Sequence, residues 1–202
     1  MVTAPNPSLS SPFDLVVGQS QAIALLKAAI RRDRIAPAYL FAGTSGVGRS
    51  KTASAFAEVL LGDRKSANRL SDRNHPDLLW VEPTYLDKGK MLTAKEADAA
   101  GLKRRALPQI RIEQVREISE FVSRSPLECK RSVVILEEAQ SMAESAANSL
   151  LKTLERIDRI TRRTLSEGDH FGRNISVTFA GEDFLHLRLI EPCEGNALTA
   201  GN

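Results

Sequence analysis

Cysteine is scarce in this chain of 202 residues. The two cysteines, Cys129 and Cys193, lie far apart, and neither belongs to a C-x-x-C pair. A disulfide framework or a cysteine-based zinc site is therefore not expected. Long apolar runs are also missing: no stretch approaches the ~18 apolar residues that indicate a membrane span. The N-terminal segment lacks the basic start and apolar run of a signal peptide. We expect a cytoplasmic protein with no membrane partner.

The composition is that of an ordinary globular domain. Hydrophobic residues make up 42% of the chain and charged residues 26%. This length and composition predict one domain with a packed core, or one domain and a tail. The net charge of +3 comes from 28 basic and 25 acidic residues. That balance is compatible with nucleic acid nearby but does not argue for it.

Apolar patterns alternate between buried strands and amphipathic helices over the first 155 residues. Strands are predicted at 38–43, 77–83 and 131–140, and helices at 20–32, 50–61, 112–123 and 141–155. Ser20 is expected to cap the first helix, and Ser141 with Glu144 to form a capping box at the last. The alternation predicts an α/β fold, in which a parallel sheet is flanked by helices and holds its ligand at the carboxyl ends of the strands.

Three segments lie outside this alternation. Residues 1–12 are predicted to be a flexible arm, because they are rich in proline and serine and show no periodicity. Residues 84–108 carry many basic residues and little pattern, which indicates a poorly ordered surface insertion. Residues 175–190 have the pattern of a hairpin around Gly181.

The segment GTSGVGRS follows the first predicted strand and precedes a helix, which is the context of a phosphate-binding loop. Backbone N–H groups from Ser45 to Ser50 are expected to cradle a phosphate. Arg49 stands at the usual lysine position, and the next basic residue, Lys51, comes two positions later. The candidate cofactor-binding residues are Gly43, Ser45, Gly46, Val47, Gly48, Arg49, Ser50 and Lys51. The alternative is a glycine-rich turn without a ligand.

Two acidic residues end the predicted strand 131–140. Glu138 is the candidate catalytic residue, in the role of polarising a water molecule for attack on a phosphate. Glu137 stands where an ATPase of this type has a magnesium-binding aspartate, and its side chain is one methylene longer. We expect no permanent metal; Glu137 and Ser50 would hold Mg²⁺ only together with a nucleotide, which would be ATP. The alternative is a pair of solvated acids.

Several segments together resemble one family. They are VVGQ (16–19), RIAPAYLFAGTSGVGRS (34–50), NHPDLLWVEPTY (74–85), PQIRIEQVREI (108–118) and RSVVILEEAQSMAESAANSLLKTLE (131–155). In order and spacing they are similar to the bacterial clamp-loader AAA+ family of DNA polymerase III, and most similar to its delta-prime members of cyanobacterial type. The resemblance covers residues 13–155.

The resemblance implies an AAA+ nucleotide-binding core and a role in DNA replication. The implied function is that of a stator subunit that does not hydrolyse ATP, since Arg49 and Glu137 replace the usual lysine and aspartate. The implied partners are the other clamp-loader subunits and, indirectly, the sliding clamp and primer–template DNA. Two alternatives remain open: an ATP-hydrolysing motor-type subunit, and a truncated product without loader function.

The sequence departs from the family after residue 155. No sensor strand, Ser-Arg-Cys segment or collar is evident, so residues 156–202 are interpreted as an unrelated tail produced by a frameshift or truncation. We expect a marginally stable monomer that joins a loader weakly or not at all. The four-cysteine zinc module of many loader subunits is also missing, because residues 62–76 contain no cysteine.

The missing module gives the first prediction. The purified chain should contain no stoichiometric zinc after expression in zinc-supplemented medium, because the thiolates that build the family's module are absent. Elemental analysis of the protein measures this directly, with the dialysis buffer as the blank. About one zinc per chain would contradict the prediction.

Overall fold

The computed structural model describes residues 11–62, 73–102, 106–167, 174–181 and 187–189, and after residue 158 it describes the backbone alone. The helices are α1 (Ser20–Arg31), α2 (Arg49–Leu61), α3 (Ala94–Ala99), α4 (Ile112–Phe121) and α5 (Glu144–Glu167). The strands are β1 (Ala38–Ala42), β2 (Leu78–Val81), β3 (Tyr85–Asp87), β4 (Lys90–Leu92), β5 (Arg131–Glu137), β6 (Asn174–Gly181) and β7 (Leu187–Leu189). Short 3-10 turns lie at Pro12–Leu15 and Ala139–Ser141.

A five-stranded sheet in the order β2-β5-β6-β1-β7 forms the centre of the fold. Strand β5 shows why helices cover both faces: Val133 and Ile135 pack into the layer that contains α1 and α2, whereas Val134 and Leu136 pack into the layer that contains α4 and α5. All four residues are 0% exposed. A strand buried on both faces needs apolar residues at every position. The predicted α/β architecture is confirmed.

Helix α2 packs against the sheet through small and aromatic side chains. Phe56 is fully buried and meets the ring of Tyr39 in β1 edge-on, with 4.8 Å between the ring centroids. Burial raises the pKa of the Tyr39 hydroxyl, which outweighs the hydrogen bond it receives from the Ala36 N–H. The helix ends at Gly62, whose φ of 67° lies in the left-handed region. The ring contact between Phe56 and Tyr39 thus packs the middle of α2 against β1.

Two predicted helix caps are wrong. Helix α1 already includes Ser20, and the residue before it, Gln19, makes no side-chain capping bond. Helix α5 begins at Glu144, and the buried Ser141 Oγ makes no hydrogen bond in the described part of the chain. A 3-10 turn takes up Ser141, and its backbone pairs with the extended segment before α4 through the bond from Ile110 N to Ser141 O at 3.2 Å. Ser141 therefore lies two residues before the N-cap position, Ala143, and is too early to cap.

The insertion 84–108 has more structure than its sequence indicates. Strands β3 and β4 form an antiparallel hairpin, and α3 follows. The helix starts with a capping box: Glu96 N donates to Thr93 Oγ1 at 3.3 Å, and Thr93 N donates to Glu96 Oε2 at 2.7 Å. This backbone bond lowers the pKa of Glu96. The T-x-x-E spacing of Thr93 and Glu96 is the signal that our sequence interpretation missed.

The region after residue 155 also differs from expectation. Helix α5 continues to Glu167, and β6 pairs in parallel with both β1 and β5. Strand β7 pairs antiparallel with β1, so β1 lies between the two strands of the predicted hairpin. Both the hairpin around Gly181 and the missing strand are therefore wrong. Without β6, the facing backbone edges of β1 and β5 would have unpaired N–H and C=O groups.

Other expectations lie outside the described residues. They concern the arm, of which only Ser11 and Pro12 are described, most of the cysteine-free segment 62–76, and the side chains of the tail arginines after Arg156.

A buried carboxylate joins β2 to the loop before β5. Asp77 is 2% exposed and accepts three backbone N–H bonds, from Leu127 at 2.6 Å, Glu128 at 2.8 Å and Cys129 at 2.7 Å. Burial raises the pKa of Asp77, but these bonds outweigh it, so the pKa lies below its ordinary value. His75 accepts the Asp77 N–H at Nδ1, at 3.0 Å. As predicted, His75 shapes the turn into β2.

The second prediction concerns this carboxylate. Asp77→Asn should lower the free energy of unfolding by about 3 kcal/mol. The asparagine side chain has an NH₂ group in place of one carboxylate oxygen, so a hydrogen-bond donor would face the backbone N–H donors of the loop. The folded pKa is depressed, so the contribution of the carboxylate is full above the ordinary aspartate pKa of about 3.9 and is lost as pH falls through the folded pKa. Urea titration at pH 6 and at pH 3 measures the difference, which should shrink at pH 3.

Asp33→Asn is the matched control. The side chain of Asp33 is 88% exposed and lies 3.4 Å from Arg131, so the substitution should cost less than about 1 kcal/mol. Equal losses in the two variants would contradict the role of Asp77.

Candidate nucleotide site

The phosphate loop and the acidic pair meet at one end of the sheet. The loop Gly43–Gly48 connects β1 to α2, and Glu137 and Glu138 end β5. Since β1 and β5 both run parallel to β6, their carboxyl ends lie at the same edge. The closest charged contact is 3.7 Å, between Arg49 Nη2 and Glu138 Oε1. The two segments that the sequence analysis singled out therefore face each other.

Two glycines give the loop its turn. Gly46 and Gly48 have φ values of 82° and 97°, in the region that other residues rarely adopt. Val47 N donates back to Thr44 O at 3.3 Å, so this member of the predicted cradle is engaged within the loop. Gln19 Nε2 donates to Val47 O at 3.1 Å and ties the loop to the segment before α1. The sequence interpretation did not identify Gln19 as a loop contact.

Helix α2 begins directly after this loop. Gly48 is the N-cap, and Arg49, Ser50 and Lys51 form the first helical turn. The N–H groups of a first turn have no acceptor within the helix, and the helix dipole adds partial positive charge there. Such an end attracts an anion. The backbone arrangement is therefore that of a phosphate site.

Arg49 is the most buried charged side chain of the site. It is 9% exposed; its Nη2 faces Glu138, and its Nη1 is buried without a hydrogen-bond partner in the described chain. A guanidinium group carries five N–H donors, so one carboxylate at 3.7 Å satisfies little of it. Lys51, by contrast, is exposed and does not take the place of the missing lysine.

Glu138, the candidate catalytic residue, is held from two sides. It faces Arg49, and its Oε2 accepts a hydrogen bond from Gln140 Nε2. Its backbone has φ 49° and ψ 49°, a left-handed conformation that is uncommon for glutamate. The conformation turns the chain sharply from β5 into the following 3-10 turn. The carboxylate is thus positioned by its partners and by the backbone.

Glu137 has a separate cationic partner, Arg73. Arg73 Nη2 lies 3.6 Å from Glu137 Oε2, and Arg73 Nη1 lies 2.9 Å from Glu82 Oε2. The same guanidinium lies over the ring of Trp80, 4.2 Å from its centroid. Sequence reasoning missed Arg73, and its position just before the HPD segment gave no signal of a role. Trp80 is half-buried beneath this cation rather than simply part of the core.

A cavity of about 590 Å³ adjoins these groups, between α2 and the ends of β2 and β5. Its polar lining includes Ser50, Lys51, Arg73 and Glu137, and its apolar lining includes Trp80. Ser50 at the start of α2 and Glu137 at the end of β5 therefore border the same cavity.

The residues present fit a phosphate group and do not fit magnesium. The helix end and the unpaired Nη1 of Arg49 are donors without acceptors, which a phosphate would supply. Magnesium needs oxygen ligands at about 2.0–2.1 Å in octahedral geometry. Both carboxylates that could provide them already face guanidinium groups, Glu137 that of Arg73 and Glu138 that of Arg49.

One group of three possible metal ligands comes together elsewhere in the described chain: His75, Asp77 and Cys129, with ligand atoms within 4.8 Å of one another. His75 Nδ1 already accepts the Asp77 N–H, so the neutral ring carries its proton on Nε2, which faces Cys129 Sγ at 3.7 Å. The Asp77 oxygens accept three N–H bonds. These hydrogen bonds anchor the turn before β2 to the loop before β5.

Comparison with known proteins finds one family. The family model described as "DNA polymerase III, delta subunit" matches residues 18–159. DNA polymerase III subunit delta' of Bacillus subtilis is 30% identical over 73% of this chain and 41% of its own length. The delta' subunit of Pseudomonas aeruginosa is 32% identical over 61% and 35%. The chain thus spans about two fifths of the length of these relatives.

A solved structure gives a weaker likeness. The gamma subunit-related protein of Thermotoga maritima aligns with 78% of this chain and 39% of its own, at 17% identity and a TM-score of 0.43. In the described part of the chain, no helix combines the length and apolar character that crossing a membrane requires.

Proposed function

Because this chain belongs to the DNA polymerase III delta-subunit family, we propose that it is a clamp-loader subunit that keeps the nucleotide-site architecture without hydrolysing nucleotide. The observation that carries the proposal is the pairing of both strand-end carboxylates with arginines: Glu138 with Arg49 and Glu137 with Arg73. Its proposed partners are the other clamp-loader subunits, and through them the sliding clamp and primer–template DNA.

The pairing opposes hydrolysis at each step that a carboxylate would perform. Phosphoryl transfer in this class needs one acid to hold magnesium and one to orient the attacking water. Glu137 can approach a metal ion only against the charge of Arg73, and Glu138 is turned toward Arg49 and Gln140. When bound, Mg·ATP would supply the reacting phosphoryl group. In this chain the two carboxylates face arginine side chains and not a magnesium ion.

The second arginine also stiffens the site. Arg73 connects the segment before β2 with Glu82 after β2 and with the end of β5, and it stacks on Trp80. A single exposed ion pair contributes about 0–1 kcal/mol, but three contacts on one planar group restrict its position far more than one does. A fixed site edge suits a stator, whose proposed role is to hold its neighbours rather than to change shape.

The motor-type alternative is supported by the loop itself. Gly46 and Gly48 keep the left-handed turns, and α2 begins where a phosphate-binding helix begins. Measured turnover separates the two functions.

The third prediction is that the chain shows no magnesium-dependent ATPase activity above background, because the guanidinium group of Arg73 opposes a metal ion at Glu137. Phosphate release is measured with the full 202-residue chain at saturating ATP and Mg²⁺. Glu138→Gln is the control and should give the same baseline. A rate on the order of 1 per second that disappears in Glu138→Gln would establish the motor-type function instead.

The fourth prediction addresses the loader role. The immobilised chain should bind the other loader subunits of its own organism weakly, with a Kd in the range of roughly micromolar, as expected of small polar interfaces. Biolayer interferometry measures the affinity, with the heat-denatured chain as the control. No saturable binding up to the highest soluble concentration of any subunit would contradict a loader role.

A further inference from the structure

We propose that Cys129 is a nucleophilic thiol at which low-molecular-weight disulfides modify this chain, and that His75 sets its reactivity. Cys129 lies in the loop before β5, and His75 lies in the turn before β2. Since β2 and β5 are parallel, both residues are at the opposite end of β5 from Glu137 and Glu138. The inference therefore concerns a part of the molecule away from the nucleotide site and does not depend on the proposed function.

The ring of His75 presents an N–H donor to the sulfur. His75 Nδ1 accepts the N–H of Asp77 at 3.0 Å, so the proton of the neutral ring lies on Nε2. Nε2 faces Cys129 Sγ at 3.7 Å, within reach of a hydrogen bond to sulfur. His75 is only 4% exposed, and its surroundings hold this orientation. Because Nε2 carries the proton, the ring acts on the sulfur as a donor and not as a base or a metal ligand.

A donor in this position favours the thiolate over the thiol. A hydrogen bond to the charged form of an acid stabilises that form, and the thiolate is the nucleophile of a cysteine. The opposing charge is that of Asp77, which has a carboxylate oxygen within 4.8 Å of the sulfur. Three backbone N–H bonds, including the one from Cys129 at 2.7 Å, already offset part of that charge. We expect the donor of His75, which is directed at the sulfur, to outweigh Asp77.

The thiol lies at the surface but is held in place. Cys129 is half-buried, and its neighbours Glu128 and Lys130 are exposed. Its backbone N–H is bound to Asp77, and its side chain packs against the apolar cluster around Phe56. A fixed and half-buried thiol favours a small disulfide over a second protein chain as the reactant.

The step is a thiol–disulfide exchange. The Cys129 thiol first releases its proton to solvent, because both ring nitrogens of His75 are engaged. The thiolate sulfur then attacks one sulfur of the small disulfide, whose S–S bond breaks as the new S–S bond forms. The displaced sulfur leaves as a thiolate and takes up a proton. Cys129 is oxidised, the released thiol is the reduced product, and the small disulfide is the oxidant.

The adduct should loosen the anchor that Asp77 forms. The modified sulfur has no charge for the His75 donor to stabilise, and the added group has to be placed beside a ring that is 4% exposed. A movement of Cys129 would stretch the N–H bond that its backbone donates to Asp77 at 2.7 Å. The modified chain should therefore unfold at a lower urea concentration than the reduced chain, and a reductant should restore the original midpoint.

Oxidised glutathione and a chromogenic aromatic disulfide are the probes. The full chain of 202 residues is used with Cys193→Ser, which leaves Cys129 as the single thiol. Peptide mass mapping should find the glutathione adduct on Cys129. The chromogenic disulfide measures the rate between about pH 6 and about pH 10, a range that spans the ordinary ionisation of cysteine. The rate should reach half its maximum at a lower pH in the folded chain than in the chain unfolded in urea, which a difference in access alone would not produce.

His75→Asn is the test variant, and His75→Gln is its matched control. Asparagine keeps an acceptor in the place of Nδ1 but removes the donor that faces the sulfur, whereas glutamine keeps an N–H donor in the place of Nε2. His75→Asn should slow the reaction roughly threefold at about pH 7 and not at about pH 10, where both thiols are ionised. His75→Gln should stay within about twofold of the parent chain at both.

Far-ultraviolet circular dichroism confirms that each variant is folded, and if His75→Asn is not, the comparison of the folded and unfolded parent chain still decides. Three results would overturn the inference: no adduct on Cys129 in the folded chain, a half-maximal rate at the same pH in the folded and unfolded chains, or a folded His75→Asn variant that matches the parent at about pH 7 or is equally slowed at about pH 10. An adduct that leaves the urea midpoint unchanged would overturn the loosening of the anchor.

Discussion

The parallel pairing of β6 with both β1 and β5 is the constraint on which the site depends. It aligns Ala38 with Val177 and Val177 with Val134, and so fixes how far β1 and β5 extend toward the same edge. A β-strand rises by about 3.3 Å per residue, so a shift of β5 by two residues along β6 would move its end by ~7 Å. Arg49 and Glu138 would then no longer face each other. The charged contact follows from the strand register and is not formed by the loops alone.

The acidic groups at this edge of the sheet have cationic partners within the chain itself. The acids Glu82, Glu137 and Glu138 face two guanidinium groups, those of Arg73 and Arg49. In a metal-dependent site, such acids repel one another until a cation arrives. Here the cations belong to the chain, so they come at no entropic cost of binding. The same arrangement places the charge of Arg73 at Glu137, where a metal ion would need the carboxylate.

The sheet-and-helix fold, the loop and the facing acids could be predicted from the sequence because each depends on local periodicity or spacing. Arg73 and β6 could not. Arg73 contacts Glu82, Glu137 and Trp80, all of which lie some distance along the chain. The residues next to Arg73 in the sequence therefore give no sign of these contacts. The pattern of 175–190 fits a hairpin as well as it fits two strands on either side of β1, and only the unpaired edges of β1 and β5 decide between them. Ser141 shows the same limit. Its spacing from Glu144 predicts a helix cap, but in the fold its backbone carbonyl pairs with Ile110 instead.

The two replacements in the nucleotide site, Arg49 and Glu137, each meet a different partner of opposite charge. The guanidinium of Arg49 is wider than an ammonium group and reaches Glu138 with Nη2 while Nη1 stays buried. Glu137 is longer than aspartate, which lets its carboxylate meet Arg73 across the end of β2. Restoring lysine at position 49 would leave Glu137 bound to Arg73, and restoring aspartate at 137 would leave Arg49 facing Glu138. In the proposed non-hydrolysing subunit, the two pairs oppose different requirements of hydrolysis, so we expect neither reversal alone to return metal-dependent chemistry to the site.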